Sequence, residues 1–143
     1  ARASLSALTA EVVERQKKRG HAIASGLESI PEAALRVTAM RRAIANLLDN
    51  AIRYAGGGID VVTRRDGREA VLEVLDRGPG IPEGERERMK QPFTRLEAAR
   101  SNTGGSGLGL AIVDRIVAAH GGRFELAARS GGGLIARIRL PLG

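Results

Sequence analysis

Apolar residues recur along the chain in two periods, and the switches between them outline the elements. Leu5, Leu8, Val12 and Val13 share one face at three-and-four spacing, which predicts a helix from Leu5 to Arg19 with Ser4 as its N-cap. "HAIASGLESIP" reads as a strand closed by a turn at Pro31. Met40, Ile44, Leu47, Leu48 and Ala51 restore the helical spacing, so a second helix is expected from Ala39 to Ala55, stopped by Gly56, Gly57 and Gly58. "IDVVTRR" and "EAVLEVLD" are strands joined by a turn at Asp66-Gly67. "RGPGIPEGERERMKQPF" begins with a rigid Gly/Pro turn and continues as a short charged helix, and residues 94–105, small and polar, read as a loop. "LGLAIVDRIVAAHGG" is a strongly apolar helix with Gly121 at C′. Two alternating strands, "RFELAARS" and "LIARIRLPL", close the chain around "GGG".

Helices and hairpins mixed in this order predict an α/β two-layer sandwich: a mixed, mainly antiparallel sheet covered on one face by helices. A strand-helix-strand repeat is missing, which disfavours a doubly wound sheet. With 143 residues, 43% of them hydrophobic, the chain suits a single domain, 1–143, with a substantial core.

Composition narrows the chemistry. Cysteine is absent, which removes disulfides and thiolate metal sites and suits a reducing compartment. His21 and His120 lie too far apart in sequence for metal-ligand spacing. Gly or charge interrupts every apolar run well short of the roughly 18 residues of a membrane span, and the N-terminus lacks a signal-peptide core. It also lacks an initiator Met, so a fragment of a longer protein is expected. A net charge of +7 calls for anionic partners. With only Tyr54, Phe93 and Phe124 as aromatics and no nucleic-acid-binding motif, a nucleotide competes with nucleic acid for that part, and composition alone does not choose.

Four stretches carry candidate chemistry. In the second helix, Arg42, Asn46, Asn50 and Tyr54 fall at four-residue steps beside the core face, forming a stripe of cation, two amides and an aromatic. Such a wall suits a ligand with phosphate, metal and ring; the alternative is plain surface asparagine. In "DRGPGI", Asp76 shares parity with Leu72 and Val74, so its carboxylate points to their side and needs a donor there, such as the adenine amine. Gly78 and Gly80 permit close backbone approach to a flat ligand; the alternative is an ordinary strand-to-helix turn. "TGGSGLGLA", from Thr103, places glycines ahead of a helix N-terminus, where N–H groups can converge on an anion. It matches neither the dinucleotide fingerprint nor the lysine-bearing phosphate loop. Between these lies "QPFTRL", where Phe93 and Leu96 can anchor a loop that swings Arg95 and Arg100 onto phosphate; the alternative is a solvated loop surface.

Taken in order, "NLLDNA", "DRGPGI", "QPFTR" and "GGSGLGLA" resemble the N, G1, F and G2 boxes of the ATP-binding catalytic domain of bacterial sensor histidine kinases of the EnvZ type, in the superfamily shared with Hsp90, DNA gyrase and MutL. The resemblance spans nearly the whole chain. It implies a Bergerat-type ATP-binding fold, ATP as substrate and Mg2+ as cofactor, with a lid at about residues 84–105. On this basis Asn50 is the metal-holding amide, Asn46 lies near the phosphates, Arg53 approaches ribose or phosphate, and Tyr54 packs on adenine. Asp76 accepts from the adenine amine, with Gly78, Gly80 and Ile81 beside the base. Phe93, Arg95, Arg100, Thr103, Gly105, Ser106, Gly107, Leu108 and Gly109 bring the lid and the helix N-terminus to the phosphates, and Asn46, Asn50, Arg95 and Arg100 carry the transfer.

The visible departure is Met89-Lys90, where the family often has an aromatic before the F box; it bears on the anchoring of the lid and not on the ATP site. Neither His21 nor His120 sits in a phosphoacceptor motif. The resemblance therefore implies a kinase module whose histidine lies on a separate dimerisation domain, with a response regulator as downstream partner and no nucleic acid. It further implies a full-length membrane-bound homodimer in the bacterial inner membrane, with this part cytoplasmic and monomeric by itself. A gyrase- or Hsp90-like ATPase is the main alternative. Arg41, Arg42 and Ala43 stand where those ATPases carry a water-activating glutamate, which favours transfer over hydrolysis. A non-catalytic ATP-binding or docking module is the other alternative.

Overall fold

The computed structural model describes residues 1–55, 58–91 and 109–143. In chain order the elements are β1 (Arg2–Ala3), α1 (Leu5–Lys18), β2 (Ile23–Leu27), β3 (Ala33–Ala34), α2 (Val37–Ala55), β4 (Ile59–Asp66) and β5 (Glu69–Leu75). A 3-10 turn (Glu83–Glu85), α3 (Arg86–Met89), α4 (Gly109–Ala119), β6 (Arg123–Ala128) and β7 (Leu134–Pro141) follow. The main sheet has the order β2-β4-β5-β7-β6. Only β2 and β4 run parallel; the other three pairings are antiparallel. The expected mixed sheet is thus present, with helices on one face.

Local chemistry sets the boundaries. Ser4 Oγ accepts from the Ala7 N–H at 3.1 Å, capping the first turn of α1 as its hydroxyl predicts. The second helix starts at Val37, two residues before the expected Ala39. At the end of α4 the Gly121 N–H donates to Ala118 O and the Gly122 N–H to Val117 O, and Gly121 takes φ +74°, the glycine-terminated stop expected there. In the hairpin between β4 and β5, Asp66 pairs with Glu69, so the turn residues are Gly67 and Arg68, one position later than expected. Only a φ-positive residue such as Gly67, at +62°, fits that two-residue turn.

The core lies between the helices and the even-numbered face of β5. Leu5, Met40, Ile44, Leu47, Leu48, Leu72 and Ile138 are all at most 1% exposed. Ala43 is fully buried as well, its small side chain letting α2 sit close beneath its neighbours. Several buried polar side chains are paired: Ser6 Oγ meets Thr63 Oγ1 at 2.6 Å, Thr9 Oγ1 donates to Leu5 O at 2.8 Å, and Gln16 Nε2 donates to Asp49 Oδ1 at 3.0 Å. The last of these fixes α1 against α2.

The outer face of the sheet is closed by charge. Arg137 bonds Glu73 at 2.6 Å and Glu125 at 3.3 Å, and Arg139 bonds Glu125 at 2.8 Å and Asp66 at 2.9 Å. Val71, flanked in register by Arg64 and Arg139, is fully buried on that face, as expected if arginine stems cover it. The Arg139 hydrogen bond holds the Asp66 carboxyl below its ordinary value. Burial would raise Glu125, but hydrogen bonds from Arg139 and Arg137 leave it lowered too. Carboxyls depressed in the folded state stabilise it above their unfolded pKa of about 4 and lose that contribution as pH falls through the lowered values. The melting temperature should therefore hold steady down to about pH 5 and drop below about pH 4. Arg139→Met should soften that acid limb, and an unaltered limb in a pH series of thermal melts would exclude the ladder as its source.

Candidate functional site

The stripe predicted on α2 leads to a cavity. Asn50 and Tyr54, one turn apart and both half-buried, line one wall. Asp76, Pro79, Gly80, Ile81, Met89, Leu110 and Leu134 form the rest among the described residues. The lining is apolar apart from the Asn50 amide, the Tyr54 hydroxyl, the Asp76 carboxylate and backbone.

Asp76 is the polar centre of this cavity. It follows β5 directly, continues the buried parity of Leu72 and Val74, and is 5% exposed. Its Oδ1 accepts from the Gly78 N–H at 2.9 Å and the Leu134 N–H at 3.2 Å; its own N–H donates to Leu134 O at 3.0 Å. Oδ2 has no hydrogen bond among the described residues. One oxygen is thus saturated by backbone donors and fixes the side chain, while among the described residues the other meets no donor. A carboxylate oxygen at a largely apolar wall favours a ligand that brings a donor to it. A ring bearing an exocyclic amine, stacked between apolar walls, has the matching shape and polarity.

Backbone packing makes this geometry possible. Gly133, at φ +114°, lies so close to the Asp76 main chain that an added Cβ would stand 2.0 Å from Asp76 O. Gly80, at φ +72°, would bring its own Cβ within 3.1 Å of Gly133 O. The turn after β5 and the hairpin before β7 therefore interlock through two glycines.

Of the residues expected to bind, Asn50, Tyr54, Asp76, Gly80 and Ile81 are gathered on the cavity, and Gly78 supports Asp76 from behind. Asn46 is half-buried one turn before Asn50 on α2, and Arg53 is exposed; neither is among the cavity-lining residues described. Gly109 is the first residue of α4. Phe93, Arg95, Arg100, Thr103, Gly105, Ser106, Gly107 and Leu108 lie outside the described residues, as does most of the expected lid; its beginning, 84–91, holds the end of the 3-10 turn and α3. Met89 corrects one expectation: it is 7% exposed and belongs to the cavity wall, so the departure before the F box does bear on the site. Leu110 and Leu134 were also missed; their buried parity in α4 and β7 was legible, but not the end of the sheet they reach.

Among the described residues no group of three or more His, Asp or Glu side chains could hold a metal. The Asn50 amide oxygen on the cavity wall is a hard donor of the kind a divalent cation takes alongside a ligand's oxygens. No described helix is long and apolar enough to cross a membrane.

Comparison with known proteins follows the same geometry. The profile of the family described as histidine kinase-, DNA gyrase B-, and HSP90-like ATPase matches residues 36–143. The sensor protein CutS of Streptomyces coelicolor is 40% identical over 107 residues, 72% of this chain and 26% of its own. The solved mycobacterial sensor histidine kinase MprB superposes with a TM-score of 0.81 at 30% identity, over 99% of this chain and 96% of that one. The histidine kinase domain of the E. coli osmosensor EnvZ gives 0.76 at 38% identity, covering 99% and 88%. The chain spans 19–30% of the length of the curated relatives it matches.

Proposed function

Since the chain belongs to the histidine kinase-, DNA gyrase B-, and HSP90-like ATPase family and is the ATP-binding module of a sensor histidine kinase, we propose that it presents ATP for phosphoryl transfer to a histidine on a separate dimerisation domain. In this reading the phosphoryl group passes on to a response-regulator aspartate. The full-length protein is then a homodimer in the bacterial inner membrane, with this domain in the cytoplasm. The observation that carries the ATP site is the buried Asp76, with Oδ1 saturated by two backbone donors and Oδ2 left to accept from the adenine amine.

The remaining roles extend along α2 from that point. Tyr54 and Ile81 pack on the base, Gly78 and Gly80 shape the turn under it, and Arg53 reaches ribose or phosphate from the rim. The Asn50 amide oxygen would help hold Mg2+, which would supply charge neutralisation on the triphosphate. Asn46 lies beside the phosphates. Phe93, Arg95, Arg100, Thr103, Gly105, Ser106, Gly107, Leu108 and Gly109 complete the phosphate end. The histidine nitrogen of the partner attacks the γ-phosphorus, the bond from γ-phosphorus to the β,γ-bridging oxygen breaks, and ADP leaves. This chain's task is positioning and charge stabilisation. The first turn of α2 holds no acid, and its one acidic residue, Asp49, is tied to Gln16, so α2 offers no group poised to activate water.

The test is direct. Labelled ATP, Mg2+ and a separately prepared dimerisation domain should yield acid-labile label on that partner, while the chain alone releases little phosphate. Steady phosphate release without the partner would identify an ATPase; tight ATP binding with no transfer would identify a non-catalytic module. Asn50→Ala should retain the fold and lower Mg2+-dependent ATP affinity by about tenfold or more, the loss of roughly one charge-assisted contact. Calorimetry with and without Mg2+ reads this, and an equal loss in both series would remove Asn50 from the metal.

A further inference from the structure

The short helix α3 is too brief to hold its own position, and two cations fasten it. At its start Arg86 Nε donates to Ile81 O at 3.1 Å. Just past its end Lys90 Nζ donates to Phe124 O at 2.5 Å and sits 5.4 Å from the centroid of the Phe124 ring. The Lys90 side chain is only 12% exposed; its other partner, Glu87, at 2.9 Å, is 86% exposed and contributes little by comparison. Phe124 belongs to β6, the far edge of the sheet, and has no place on the cavity wall. Between the two clamps stands Met89, buried and facing the cavity beside Tyr54 and Asp76.

Among the described residues that line the cavity, the walls differ in how readily they can re-pack around a base. Asp76 is pinned by backbone donors, Leu134 belongs to a paired strand, and Leu110 to α4. Met89 carries an unbranched, polarisable side chain that re-packs readily and makes favourable sulfur–aromatic contacts. Its backbone lies between the Arg86 and Lys90 clamps.

We propose that Lys90 is a positioning residue of the nucleotide site: by anchoring α3 to the β6 edge it holds Met89 as the adaptable wall against the purine. This deepens the reading of the cavity as the ATP site and rests on it. Lys90 does not line the cavity among the described residues, and its proposed effect on binding runs through Met89.

A double-mutant cycle on ATP affinity separates this from a purely structural role. Lys90→Met keeps the aliphatic stem and removes the donor; it should weaken ATP binding by about tenfold, the scale of one charge-assisted hydrogen bond. Met89→Ala should lose at least as much, and the double variant should be no weaker than Met89→Ala within about twofold. Lys90→Arg, which keeps the charge and the donor, should bind ATP within about threefold of the unaltered chain. Calorimetric titrations are made well below each variant's melting temperature. Unchanged ATP affinity in Lys90→Met or in Met89→Ala, or losses that multiply in the double variant, would overturn the proposal even with every melting temperature lowered. Failure of the unaltered chain to bind ATP is a separate result, which overturns the ATP reading of the cavity itself.

Discussion

Asp76→Asn is expected to weaken ATP binding on the order of 100-fold, about 3 kcal/mol. The size follows from the two-sided use of the carboxylate. Oδ1 takes N–H bonds from Gly78 and Leu134, so both oxygens need to be acceptors when an amine occupies the cavity. An asparagine has one acceptor and one donor at its tip. With its oxygen toward the backbone, the NH2 confronts the adenine amine; rotated, the NH2 confronts two backbone N–H groups. Either orientation leaves donors facing donors in a buried place. Guanine presents an acceptor where adenine has its amine, so the same substitution should narrow the preference for ATP over GTP. Parallel titrations of both nucleotides into both chains measure this, and an unchanged ATP affinity would take Asp76 out of the site.

Gly133→Ala is the substitution with the largest expected cost to stability, about 3–5 kcal/mol. Two penalties add: a left-handed backbone, at φ +114°, which a Cβ disfavours, and a Cβ placed 2.0 Å from a main-chain oxygen of Asp76. That oxygen cannot swing aside, because the Asp76 N–H is bonded to Leu134 O and its side chain to Leu134 N. A domain of this size should melt lower by about 10 °C or more. ATP should raise the variant's melting temperature less than it raises that of the unaltered chain, because the displaced peptide carries the carboxylate. By contrast Gly131→Ala, equally left-handed but with no atom within 4 Å of an added Cβ, should cost only about 1–2 kcal/mol. Equal losses at the two positions would mean that the contact with Asp76 is immaterial.

Much of this was legible in the chain because burial periodicity and the site share the same parities. The alternation in β5 that buries Ala70, Leu72 and Val74 is the alternation that aims Asp76 inward. The four-residue steps that set Asn50 and Tyr54 beside the core face of α2 lead to the cavity for the same reason. What the sequence left obscure depends on distant segments meeting. Gly133 looks like an ordinary hairpin glycine until Asp76 is seen against it. Lys90 looks like a surface charge until the Phe124 carbonyl, 34 residues away, is found at its tip. The two-residue strands β1 and β3 carry no period at all, and the parallel pairing of β2 with β4 has no local signature, since the connection between them passes through β3 and α2.

The sheet order has a consequence for when binding competence arrives. β5, which delivers Asp76, is flanked by β4, its immediate predecessor, and by β7, the last strand. During synthesis a chain that has emerged only through β6 can form the local hairpin and the helices, but it lacks the Leu134 N–H that steadies the carboxylate and the Gly133 main chain beneath it. Nascent chains should therefore gain compactness well before they gain affinity for nucleotide. ATP would then act as a ligand of the finished fold, drawing the final strand into place and rewarding only chains that have completed it.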